Sequence, residues 1–164
     1  LLERSLAENG FGDRVCFQRA AVGAAPGTAT LTFPVETLNS GGAYLLRGGS
    51  APLAGNQKKD VPLVALDALD LRRPVRFIKM DVEGAEPQVL RGAARILRED
   101  KPLMLSEVHP IQLERASGVT ADEFLAEIAA LGYRAHRIEH GAIGAPIDRA
   151  PNDALVSIVL TPAT

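Results

Sequence analysis

The chain has 164 residues, with 18 lysines and arginines against 20 aspartates and glutamates, and a formal net charge of −2. This length fits one domain with a buried core, and no lysine- or arginine-dense window offers the positive face that nucleic acid requires. The single Cys16 can form no internal disulfide, and no apolar run approaches the roughly 20 residues that span a bilayer. We therefore expect a cytoplasmic protein that binds neither nucleic acid nor membrane.

The first half of the chain predicts one helix, several strands and a long loop. The opening segment, LLERSLAENG, is typical of a helix that ends at Asn9-Gly10, a pair that tolerates the left-handed backbone. Apolar and alternating patterns predict strands at residues 15–22, 28–33 and 61–66. Residues 39–56 are rich in glycine with little periodicity, which predicts a mobile surface loop, either a substrate lid or a disordered connection.

The second half alternates strands with helices. Strands are predicted at residues 75–82, 103–108, 133–139 and 154–160, with turns between the last two. One helix is predicted at residues 86–97, and another follows a capping box of Thr120 and Glu123 and ends at Gly132. This alternation predicts a three-layer α/β sandwich with a mostly parallel sheet and an antiparallel C-terminal hairpin.

Acidic residues cluster where the first strand of this half ends. Asp81 closes the strand and Glu83 follows it. Gly84 permits a sharp turn, and Glu86 opens the next helix, where the helix dipole favours a carboxylate. Because ligands gather at the carboxyl ends of strands in α/β sheets, these acids are candidate site residues. The alternative interpretation is an ion pair of Asp81 with Lys79 and a helix-capping role for Glu86.

The next strand ends in Ser106-Glu107-Val108-His109-Pro110. If the two strands are parallel neighbours, Glu107 and His109 lie at the same rim as the other acids. His109 is then a candidate general base, because imidazole titrates near neutrality. The alternative is that His109 is a solvent-exposed loop residue held by Pro110.

A family resemblance rests on the segment IKMDVEGAEPQVLRGAARIL, which is followed by KPLMLSE. These motifs resemble the FkbM family of S-adenosylmethionine-dependent methyltransferases, and the segments LDAL at residues 66–69 and AAVG at residues 20–23 match further elements of it. The resemblance implies a class I, Rossmann-like methyltransferase fold, bound S-adenosylmethionine and methyl transfer to a hydroxyl oxygen. The acceptor that it implies is a sugar or a glycosylated metabolite.

The resemblance also implies roles for individual residues. Asp81 would face the methyl end of the cofactor and the acceptor, and Glu83 or His109 would accept the proton. The implied contacts of the cofactor are Ala20, Ala21, Val22 and Asp81, and those of the substrate are Glu86 and Glu107.

The family pattern is incomplete at the start of the chain. The cofactor-binding folds place a glycine-rich turn after the first strand, whereas Gly10-Phe11-Gly12 precedes its strand here. We therefore expect one methyltransferase-like domain over residues 1–164 that is truncated at its N-terminus. The first two strands, which would lie between the strands at residues 15–22 and 75–82, would then be missing.

Two other functions remain open on the sequence. Asp81, Glu83 and Glu107 could gather Mg²⁺ in an enzyme that acts on phosphate, because hard cations prefer oxygen ligands. The chain could also be a non-catalytic interaction module or a truncated gene product.

Overall fold

A computed structural model describes residues 2–35, 42–150 and 155–163. Its strands are β1 Ala21–Val22, β2 Gly27–Pro34, β3 Tyr44–Leu45, β4 Asn56–Val64, β5 Phe77–Lys79, β6 Leu103–Val108, β7 Tyr133–Glu139, β8 Ala142–Ile147 and β9 Val156–Pro162. Its α-helices are α1 Leu2–Glu8, α2 Glu86–Gly92, α3 Ala94–Glu99, α4 Pro110–Ser117 and α5 Ala121–Ala130, and a short 3₁₀ turn covers Leu66–Ala68. No helix within these ranges combines the length and the apolar character that crossing a membrane requires.

The strands form two mixed sheets, so the α/β class is confirmed and the expectation of one mostly parallel sheet is wrong. The smaller sheet has the order β1-β4-β2-β3 and the larger one β5-β6-β9-β7-β8. Within the described residues, only β1 with β4 and β5 with β6 pair in parallel. The pairings β2–β3, β2–β4, β6–β9, β7–β8 and β7–β9 are antiparallel. The predicted antiparallel pairing of the two C-terminal strands, β7 and β9, is confirmed.

Two predicted strands are much shorter than their apolar patterns. Residues 15–22 form a strand only at Ala21–Val22, and residues 75–82 only at Phe77–Lys79. Both strands are edge strands, and each pairs on one side only. In both cases the partner strand continues beyond the paired stretch, β4 over residues 56–62 and β6 over residues 106–108, so β1 and β5 are short because their own backbones leave the partner. Phe77 is 53% exposed, so β5 is not fully buried.

The main core lies between the larger sheet and the helices. Phe124 and Ile128 of α5 and Leu90 of α2 are fully buried there against Ile158 and Leu160 of β9. These residues recur at helical spacing in α5 and alternate in β9, which is why both elements were predictable. The packing of α5 on β9 therefore holds the larger sheet in place behind the candidate site.

The local sequence signals predicted α5 correctly, but they predicted the other elements of the second half only in part. Thr120 and Glu123 form the predicted capping box, and Gly132 has a φ of 79° at the end of the helix. The single helix expected at residues 86–97 is two helices, α2 and α3, which meet at Ala93. Strand β8 was expected to be turn, and α4 was not predicted.

The glycine-rich loop expected at residues 39–56 is partly ordered. Residues 39–41 lie outside the described part of the chain. In the described part, Tyr44 is only 3% exposed and pairs with β2 through β3, while Asn56 begins β4. This segment is therefore anchored at Tyr44, which corrects the expectation of a mobile loop throughout.

Candidate active site at the ends of β5 and β6

Strands β5 and β6 deliver two acidic segments to one rim of the larger sheet. They are parallel neighbours, and Lys79 is in register with Leu105. The Met80 N–H also donates to the Leu105 carbonyl at 2.8 Å, so Asp81 follows the end of β5 close to the last residues of β6, which include Glu107. The predicted parallel arrangement of these two strands is therefore confirmed.

A tight turn follows β5 and directs the next acid toward this rim. Glu83 has a φ of 52° and Gly84 a φ of 93°, so two consecutive residues adopt positive φ values. Such a value is strained for glutamate and unstrained for glycine. The turn leads directly into α2, whose first residue is Glu86.

A small cavity, here called the acid cavity, lies at this rim with a volume of about 210 Å³. Its lining residues are Asp81, Glu83, Gly84, Glu86, Glu107, His109 and Leu155. The structure thus brings together every predicted catalytic and substrate-binding residue. Ala20, Ala21 and Val22 are not among the lining residues, because they belong to the other sheet.

Asp81 forms an ion pair with Lys79, as the alternative interpretation had it. Lys79 Nζ lies 2.9 Å from Asp81 Oδ2, and the two side chains are 55% and 54% exposed. An exposed pair of this kind contributes about 0–1 kcal/mol to stability. Asp81 thus pairs with Lys79 and also lines the acid cavity.

Glu83 is half-buried and its carboxylate lies among other charges. Partial burial raises the pKa of Glu83, and the negative charges of Asp81 and Glu107 raise it further, while His109 acts in the opposite direction. The Nε2 group of Gln112 donates a hydrogen bond to Glu83 Oε2 at 3.3 Å. A carboxylate with a raised pKa binds a proton more readily than an ordinary glutamate does.

Glu86 is the deeply buried acid of the cavity, with 3% exposure. Burial raises the pKa of Glu86, and hydrogen bonds from the backbone groups of Glu86, Gly84 and Val82 oppose that rise. The Gly84 N–H lies 3.4 Å from Glu86 Oε1. Glu86 therefore accepts from the backbone of the preceding turn, whereas α2 lacks the side-chain hydrogen bond at its N-cap, Ala85, that the helix-capping interpretation would require.

His109 is half-buried at the N-cap of α4 and is not the solvent-exposed loop residue of the alternative interpretation. Its Nδ1 atom is buried and has no hydrogen-bond partner among the described residues. A buried polar atom without a partner is destabilising, so its presence beside a cavity suggests an exchangeable partner. Depending on the tautomer, this nitrogen can donate or accept a hydrogen bond there.

The predicted cofactor contacts Ala20–Val22 lie elsewhere. Ala21 and Val22 form β1 and pair with Leu63 and Val64 of β4. Val22 packs against the main core. The turn after β1 opens on a separate cavity of about 430 Å³, which is lined by residues 23–29 and 45–48, among others.

The arrangement of the acids bears on the magnesium alternative. Within the described ranges, no group of three or more histidine, cysteine, aspartate or glutamate side chains is arranged so that it could hold a metal ion. Asp81 faces Lys79, and Glu83 faces Gln112. A site built from Asp81, Glu83 and Glu107 would require these side chains to move.

Comparison with known proteins places the chain in a family. Residues 6–135 match the family model described as the methyltransferase FkbM domain. The crystal structure of methyltransferase FkbM from Methylobacillus flagellatus KT is similar in fold, with a TM-score of 0.54 and 15% sequence identity. The similarity covers 97% of this chain and 32% of that chain, so this chain spans about a third of its length. No curated protein matches the chain.

Proposed function

Because the chain belongs to the FkbM methyltransferase family, we propose that it takes part in transferring a methyl group from S-adenosylmethionine to a hydroxyl oxygen of a sugar or of a glycosylated small molecule. When bound, this cofactor supplies an electrophilic methyl group on a sulfonium centre. The observation that carries the proposal is the acid cavity, where four acidic side chains and one histidine meet in a chain of this family.

The charges of the acid cavity suit the reacting end of such a cofactor. Carboxylates of Asp81, Glu83 and Glu107 offer negative charge to a sulfonium, which they attract by ordinary Coulomb forces. The cavity, at about 210 Å³, is smaller than the roughly 300–1,000 Å³ of pockets that enclose whole ligands. Its residues therefore fit the methyl end and the acceptor, and the adenosyl part requires surface outside it.

Proton removal is the step for which the chain offers specific groups. An unactivated hydroxyl must lose its proton as its oxygen attacks, and a positioned base can assist this. Glu83 is the best candidate, because its raised pKa makes its carboxylate a stronger base than an ordinary glutamate. His109, with its unpartnered Nδ1, is the second candidate. Asp81, which lines the same cavity, would orient the acceptor.

The same charges bear on the acceptor. A phosphate or carboxylate on the substrate would be repelled by the three exposed or half-exposed acids of the cavity. A neutral hydroxyl compound carries no such penalty, and its hydroxyl groups can donate hydrogen bonds to the carboxylates. This favours neutral sugar hydroxyls over sugar phosphates.

The test is methyl transfer from cofactor labelled in the methyl group to a panel of neutral glycosides and the corresponding sugar phosphates. We expect label on neutral hydroxyls only. A Glu83→Gln variant should lose about 100-fold or more of the rate, since general-base catalysis contributes that much, while Glu114→Gln, on the exposed side of α4, should keep it. Full activity of Glu83→Gln, or label only on phosphates, would contradict this mechanism.

A further inference from the structure

Helix α4 packs directly on the turn that carries Glu83. A Cβ atom at residue 84 would overlap the backbone oxygen of Gln112, so the first turn of α4 rests on the Gly84 backbone. The hydroxyl of Ser117, in the last turn of α4, donates a hydrogen bond to the Gly84 carbonyl. The backbone of Gln112 is thus held at a fixed distance from Glu83.

The side chain of Gln112 bridges a cation and the Glu83 carboxylate. Its Oε1 accepts a hydrogen bond from Arg115 Nη1 at 3.3 Å, and its Nε2 donates to Glu83 Oε2 at 3.3 Å. A guanidinium can only donate and a carboxylate can only accept, so the amide has one favourable orientation between them. Within the described residues, Gln112 is the only side chain that hydrogen-bonds the Glu83 carboxylate.

The far end of this bridge is anchored in the smaller sheet. The Arg115 guanidinium lies over the ring of Tyr44, 5.5 Å from its centroid. Tyr44 itself is only 3% exposed, so its ring is held in place by the surrounding residues. A cation over an aromatic ring is attracted to it, and this restricts Arg115. Contacts therefore run from Tyr44 through Arg115 and Gln112 to Glu83.

A neutral donor is the kind of partner that a base at this position needs. Asp81 and Glu107 repel the Glu83 carboxylate, and His109 is the other titratable group that faces it. A lysine or arginine in place of Gln112 would hold Glu83 more firmly but would also weaken it as a base. An amide orients the carboxylate without adding charge.

We propose that Gln112 is a positioning residue for Glu83, and that Arg115, stacked on Tyr44, holds the Gln112 amide in the orientation that donates to the carboxylate. The inference rests on the proposed function in that it assigns Glu83 the role of base. It adds a residue on α4 that touches no reacting atom.

The variants Gln112→Ala and Gln112→Glu separate positioning from packing. Gln112→Ala removes the donor, whereas Gln112→Glu keeps the size and the Arg115 contact but places a negative charge against Glu83. If Gln112 acts by donating, Gln112→Glu is at least as harmful as Gln112→Ala. If Gln112 only fills space or satisfies Arg115, Gln112→Glu is the milder change. Glu114→Ala on the same helix is the matched control.

The first measurement does not depend on enzymatic activity. Carbon-detected nuclear magnetic resonance follows the titration of the Glu83 carboxyl in each variant. We expect the pKa of Glu83 to rise in Gln112→Ala, because a donor to the charged form is lost, and to rise further in Gln112→Glu. Glu114→Ala should leave it unchanged. Equal titration of Glu83 in wild type and both Gln112 variants would overturn the proposal.

The second measurement uses methyl transfer at a pH above the Glu83 titration of every variant, so that protonation does not enter. We expect kcat to fall about tenfold in Gln112→Ala, the factor that one hydrogen bond of ordinary strength supplies, with KM within twofold. A fall in Gln112→Ala that Gln112→Glu restores would also overturn the proposal. If wild type transfers no methyl group at all, the proposed function fails. The titration of Glu83 then tests by itself whether Gln112 donates to the Glu83 carboxylate.

Discussion

Replacing Gly84 with alanine tests the geometry on which the acid cavity depends. The new Cβ would meet two penalties: the φ of 93° is unfavourable for any residue with a side chain, and the atom would overlap the Gln112 backbone. A positive φ costs about 1–2 kcal/mol, and forcing an extra carbon into a packed contact costs about 1–3 kcal/mol. Gly84→Ala should therefore lower the free energy of unfolding by about 2–5 kcal/mol.

Gly132→Ala is the matched control, because it pays only the first penalty. Gly132 has a φ of 79°, and a Cβ atom added there would have no neighbouring atom within 4 Å, so we expect a loss of about 1–2 kcal/mol. Urea unfolding of both variants gives the difference, and a slope of about 1–3 kcal/mol per molar converts it into a midpoint shift of about 1 M. Equal losses in the two variants would mean that α4 does not rest on the Glu83–Gly84 turn, and the site geometry would be refuted.

Three further predictions concern the buried and titrating groups. Burial raises the pKa of Glu86 in the folded state, so above about pH 4.5 the folded protein binds more protons than the unfolded chain. The free energy of unfolding therefore falls as the pH rises through that window. Glu86→Gln should flatten this pH dependence in chemical unfolding measured from pH 4 to pH 8. The rate of methyl transfer should increase as the pH rises through the raised pKa of Glu83. This rising limb of the pH–rate profile should be absent from the residual activity of Glu83→Gln. An unchanged limb in that variant would assign the base to another group. Phe124 is fully buried, so Phe124→Ala should destabilise by about 3–5 kcal/mol in urea unfolding, and a loss below 1 kcal/mol would contradict its place in the core.

The sequence predicted best where the signal is local or periodic. Strand β6 and the capping box of α5 were located correctly, because the short apolar run after Pro102 and the Thr120–Glu123 spacing are visible within a few residues. Strands β1 and β5 were overestimated, because apolar residues continue beyond the stretch that actually pairs with β4 and β6. The length of a strand is set by its pairing, and pairing is a property of distant segments.

At the acid cavity, too, the local features could be predicted and the contacts between distant segments could not. Its acids follow strand ends and a glycine turn, which are local features, so they could be predicted as a group. Helix α4 was missed although Pro110 at its first position and Gly118 at its end, with a φ of 69°, bracket it. Those two signals would have predicted the helix but not its contacts.

What the sequence could not supply is the partner of each acid. Glu83 and Gln112 are 29 residues apart, and no spacing rule connects them. They meet because β5 and β6 are parallel neighbours and because Gly84, lacking a side chain, lets the first turn of α4 approach. The glycine of the DVEGAE segment therefore has two consequences: it permits the turn, and it admits the helix that orients the preceding glutamate. Gly84→Ala disturbs both, whereas Gly132→Ala carries only the cost of a positive φ, so the difference between the two variants tests the close approach of α4 to the Glu83–Gly84 turn.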